Sequence, residues 1–182
     1  MFNLHMDRNV SPWSLMLVDH ADQILMTWRC HAPPLSTAKV PVRQLRYIAN
    51  EVDGLIGGAD TVVAIGVWAH FGPLPIPIYI RRMLSIRSAV QRLLDRAPNT
   101  VVIMRSGALR DQTLSISRSY SDWYYMQNDL VLRSLFKGVN VHWVNAWEMV
   151  LANDLRHNIH PKSPIIKNMV DILLTHVCPI KG

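Results

Sequence analysis

The chain has 182 residues, 49% of them hydrophobic and 18% charged, with no low-complexity tract, which describes one globular domain over residues 1–182 and excludes a disordered tail or a second large domain. Nineteen Lys and Arg against 13 Asp and Glu leave a formal charge of +6, which favours an acidic partner such as a sulfated or sialylated glycan, a phospholipid surface or nucleic acid without choosing among them. The apolar stretches are too short, or too interrupted by Lys, Asn and Asp, to insert in a bilayer, and residues 1–8 lack the pattern of a secretory signal.

Taken in chain order, residues 13–18 and 23–30 are two short apolar runs flanking the polar patch Asp19, His20, Ala21 and Asp22, a pattern that predicts a β-hairpin. After the break at Pro33 and Pro34, the positions Val42, Leu45, Ile48, Ala49 and Val52 recur at helical spacing until Gly54, Gly57 and Gly58. Residues 61–67 form a continuous β-branched run without polar alternation, as expected of a parallel strand covered on both faces. A long helix follows the proline-rich bend, with Ile80, Met83, Leu84, Val90, Leu93 and Leu94 on its apolar face. A second buried run over 100–104 completes strand, helix, strand, which requires a crossover and a parallel pairing. Residues 106–121 read as a polar loop, 122–136 as a helix stopped by Gly138, and 139–144 as a further strand. Residues 147–152 then form a short helix, 157–164 a loop, and 165–177 a closing helix burying Ile166, Met169, Val170, Leu173 and Leu174. The expected fold is a three-layer α/β/α sandwich around a mainly parallel sheet.

In such sheets the loops after the strands collect binding groups. One such place is Gly66 to His70, where a glycine permits close approach and a histidine can orient a substrate or donate to an anion, although a core glycine and a satisfied histidine would look the same. Another is His157 and His160 with Asp154 before the last helix, where a histidine can serve as general base or simply belong to a polar loop; the spacing is too loose and too short of ligands for a metal. No serine sits in a Gly-x-Ser-x-Gly elbow, and Ser106 after the run 100–104 is the least poor nucleophile. No glycine-rich phosphate cradle links a strand to a helix, so no cofactor is implied. The arginines between Arg81 and Arg110, with Asp95 as their only acidic neighbour, read most simply as the solvated face of a helix, and without interleaved aromatics they do not suit nucleic acid. The two cysteines, Cys30 and Cys178, fit either a pair of buried thiols or one disulfide joining both ends.

The segments Val67-Trp68-Ala69-His70-Phe71, Tyr79-Ile80-Arg81-Arg82, Arg92-Leu93-Leu94-Asp95-Arg96, Asn145-Ala146-Trp147-Glu148-Met149, His160-Pro161 and Val177-Cys178-Pro179 together resemble the carboxyl-terminal domain of the NXPE family, the neurexophilin and PC-esterase domain proteins. The resemblance implies an SGNH-type acyl esterase or acyltransferase fold acting on glycans or glycoproteins, in a secreted or endomembrane-lumen setting. By position it implies that Gly66 and His70 belong to the oxyanion region and that His160 is the base. His157 stands where that fold has an orienting aspartate, and Asp154 is a possible substitute. The Gly-Asp-Ser nucleophile segment, with its strand and helix, is expected ahead of residue 1, so the chain by itself is expected to be inactive in covalent acyl transfer. The alternative expectation is a noncatalytic extracellular domain that uses Arg81 and Arg82 to bind an acidic glycan or a protein partner.

Overall fold

The computed structural model of the protein describes residues 14–31, 41, 45–153 and 160–178. The first two elements, β1 (Ser14–Asp19) and β2 (Ile24–Arg29), pair antiparallel as the expected hairpin. Its turn is closed by the Asp19 carboxylate, which accepts from the amides of Ala21 and Asp22 at 2.9 and 3.3 Å, as Asp commonly does in a tight turn.

The main body is built from α1 (Ile48–Asp53), β3 (Val62–Gly66), α2 (Ile76–Arg96), β4 (Val101–Arg105), α3 (Leu114–Tyr120), α4 (Asp122–Leu135), β5 (His142–Val144), α5 (Ala146–Leu151) and α6 (Ser163–Val177). Its three strands lie in the order β3-β4-β5 and are all parallel. Alternation along β4 divides the core. Val102 and Met104 face the cluster formed with α1, α2 and α4, whereas Val101 and Ile103 face the one formed with α5 and α6. The protein is thus a three-layer α/β sandwich, as the order of elements implies.

The strand covered on both faces is β4, not the run 61–67. β3 is an edge strand: Val63 and Ile65 enter the α2 side of the core, while Val62, Ala64 and Gly66 on the other face are exposed. The two runs have the same β-branched character, and only their place in the strand order separates them. The segment expected as a loop contains α3, started by Thr113, whose hydroxyl accepts from the Ile116 amide at 3.3 Å. Its alternating Ser residues hide the helical period.

Helix faces are also set by tertiary placement. α2 buries Tyr79, Met83, Ile86, Ala89, Val90, Leu93 and Leu94, and Leu84 is exposed. α6 buries Ile165 and Met169, while Ile166, Val170 and Leu174 remain exposed. The arginines of α2 are not simply a solvated face. Arg92 pairs with both oxygens of Asp53 at 2.9 and 2.7 Å. Arg96 donates to the carbonyls of Val52, Asp53 and Leu55 at the end of α1, and Arg87 to that of Leu135 at the end of α4. The carbonyls of Asp53 and Leu135 are among those a helix end leaves without internal partners. Cys30 is half-buried and Cys178 exposed, and no disulfide joins them. Among the described residues, no helix is long and apolar enough to cross a membrane.

Candidate functional site

Two neighbourhoods lie where the chain leaves the carboxyl ends of β3 and β4. The first centres on Arg105, the last residue of the central strand. Its backbone pairs in register with Gly66, and a Cβ on Gly66 would sit 3.9 Å from Arg105 Nη1, ordinary contact. Gly66 is therefore not forced by crowding, and its lack of a side chain leaves the guanidinium uncovered on that side. The guanidinium lies 5.4 Å from the centre of the Trp68 ring, a cation–π contact. Gly107 lets that ring close in, since a Cβ there would meet Trp68 Cδ1 at 2.6 Å.

Among the described residues, no carboxylate or hydrogen-bond acceptor partners the Arg105 side chain. Burial holds its pKa below the ordinary arginine value. A half-buried guanidinium without a counter-charge among the described residues marks a place where an anion would be stabilising.

The second neighbourhood is a cavity of about 360 Å³ between α1, the first turns of α2 and the 3-10 turn Ala69–Phe71. Here His70 Nδ1 lies 3.2 Å from His31 Nε2, and the His31 ring stacks on Phe71 at 4.9 Å and 3°. Burial, then the neighbouring His70 and Arg82, pushes the His31 pKa down to about 4. The pair holds one proton between its facing nitrogens, one ring donating and the other accepting.

The residues expected from sequence divide between these places. His70 lines the cavity, and Gly66 lies beside Arg105 instead. Arg81 and Arg82 are exposed, and Arg82 lies over the Tyr47 ring at 4.7 Å, at the edge of the cavity. His160 is exposed just ahead of α6. Asp154 and His157 lie outside the described residues. Ser106 is completely buried, its hydroxyl donating toward Asn145 Oδ1 or the Gly107 carbonyl and accepting from the Trp147 amide at 3.3 Å. It ties the end of β4 to the start of α5, which argues against a nucleophilic role. No group of three or more His, Cys, Asp or Glu able to hold a metal occurs among the described residues.

Sequence reading did not single out Arg105 or His31. A signal for Arg105 was present, because a cation directly ending the doubly apolar run 100–104 must emerge at the carboxyl rim of the sheet. His31 had none, since its role depends on the hairpin bringing it against Phe71.

Comparison with known proteins bears on this geometry. The family model described as NXPE family member 4-like, C-terminal domain, matches residues 1–178. No solved structure matches the chain.

Proposed function

Since this chain belongs to the NXPE family through its NXPE family member 4-like C-terminal domain, we propose that it is a binding domain for an acidic glycan, which it holds at the carboxyl rim of its sheet without transferring an acyl group by itself. The observation that carries this reading is Arg105, a guanidinium desolvated at the end of the central strand and left without a counter-charge among the described residues. A sulfate or carboxylate on a sugar supplies the missing charge and suits the planar fork of arginine donors. The open space over Gly66 admits the group, and the exposed Arg81 and Arg82 extend the positive surface that draws it in. Such glycans are displayed in the secretory lumen and outside the cell, the setting proposed for this domain.

Covalent acyl transfer needs a reachable nucleophile activated by a base. Ser106 is sealed in the core with its hydroxyl engaged, so the exposed His160 has no partner there to activate.

The test is titration of the protein with a heparin oligosaccharide and with sialyllactose at low salt. Arg105→Met is expected to weaken the preferred glycan tenfold or more, and Arg105→Lys to weaken it less, with circular dichroism unchanged. Equal affinity in all three proteins would reject the reading. Hydrolysis of 4-nitrophenyl acetate is expected to be no faster than in buffer and indifferent to His160→Ala; a rate that disappears with His160 would restore the esterase alternative.

A further inference from the structure

The cavity between α1 and α2 is a different kind of place from the rim around Arg105, and its lining has two unequal parts. The walls are apolar, made chiefly by Leu45, Ile48, Phe71, Leu74, Ile78 and Ile86. Among the described residues, its ionisable lining groups are His31, His70, Arg46, Arg82 and the Tyr47 phenol, with no Asp or Glu. Arg46 is already satisfied by Glu51 at 3.0 Å, which also accepts from Arg29. Arg82 has no carboxylate partner among the described residues; it lies over the Tyr47 ring and close enough to His31 to repel its protonated form. Among the described lining residues, the uncompensated charge is therefore that of Arg82, beside the paired imidazoles.

A volume of about 360 Å³ falls at the small end of the range of about 300–1000 Å³ typical of sites that enclose small molecules with apolar walls and a few polar groups. Walls that reward apolar burial and a cation at the edge without a carboxylate partner among the described residues define an amphipathic anion. We propose that this cavity binds a small monocarboxylate with an unbranched apolar tail, the tail among Ile48, Phe71, Ile78 and Ile86 and the carboxylate at Arg82 and the His31–His70 pair. A carboxylate accepts from the guanidinium in a charge-assisted bond and from whichever imidazole N–H the pair presents. A tail of the same length ending in an alcohol or amide gains the burial but not the charge. The site makes no use of Arg105 and does not depend on the glycan reading.

The experiment is calorimetric titration of the full chain with sodium hexanoate, heptanoate and octanoate, with octanamide as the uncharged control. One site per chain is expected, with affinity rising about fourfold for each added methylene while the tail still finds wall, and with octanoate at least tenfold tighter than octanamide. Arg82→Met is expected to remove that preference for the acid while leaving octanamide binding in place. Ser85→Trp, at an exposed position lining the cavity, is expected to abolish both without touching the core. Absence of binding, equal affinity for octanoate and octanamide, or binding indifferent to both substitutions would each overturn the proposal; Arg105→Met, which removes only the rim site, is expected to leave octanoate affinity unchanged.

Discussion

At the residue scale, His31 carries the clearest electrostatic consequence. Its folded-state pKa of about 4 lies below the ordinary value of 6.5, so between those values the unfolded chain binds a proton that the folded chain refuses. Stability is then complete above pH 6.5 and lost as pH falls toward 4. With allowance for its partial exposure, the loss is about 2 kcal/mol. His142 acts in the same direction: burial, then His176, stacked at 4.2 Å, lowers its pKa. Denaturant unfolding at pH 7.5 and pH 4.5 should therefore give a larger stability difference for the native chain than for His31→Phe, which keeps the stacking surface but cannot titrate. Equal differences would place the pH sensitivity elsewhere. Arg105 runs opposite to a structural residue. Replacing a partly desolvated charge that has no counter-charge among the described residues by methionine is expected to leave thermal stability unchanged or raised while glycan binding falls, whereas a cation needed for folding would lower both together.

At the scale of elements, two glycines separate backbone strain from crowding. Gly57 and Gly138 both have φ +81°, a region that costs an L side chain about 1–2 kcal/mol. A Cβ on Gly57 would also lie 2.7 Å from Ala97 Cβ and from Thr100 Oγ1, where the loop after α1 packs under the end of α2; a Cβ on Gly138 meets nothing within 4 Å. Gly57→Ala should consequently destabilise by about 1–3 kcal/mol more than Gly138→Ala, as read by urea unfolding, and equal losses would show that the loop yields. The same junction shows how far sequence reading reached. The glycines ending α1 and the length of α2 were legible, because both follow from local backbone chemistry. That Arg92 and Arg96 would fasten α2 to α1 was not, because it requires knowing that the two helices lie side by side.

At the scale of the whole molecule, the layers leave apolar surface uncovered. β2 exposes Leu25 at 65% and Met26 at 60%, and in β3 the face bearing Val62, Ala64 and Gly66 is open. Exposed strands of this kind pair with other chains. Leu25→Thr with Met26→Thr, which keep strand propensity, should raise the protein concentration at which light scattering appears; no change would mean that the hairpin is not the associating surface.

The sequence by itself determined most of the elements, α3 excepted, and the parallel order of the main sheet, because residue spacing records local periodicity and a strand-helix-strand succession admits few chain paths. It also carried the family resemblance, which is a property of the residues in order. Only the tertiary structure decided that β4 and not β3 is the enclosed strand, that Ser106 is a buried tie, that Arg105 stands without a counter-charge among the described residues, and that His31 meets His70 from 39 positions away in the chain. Each of these depends on distances between segments far apart in sequence, and such distances are set by packing, which no local pattern encodes.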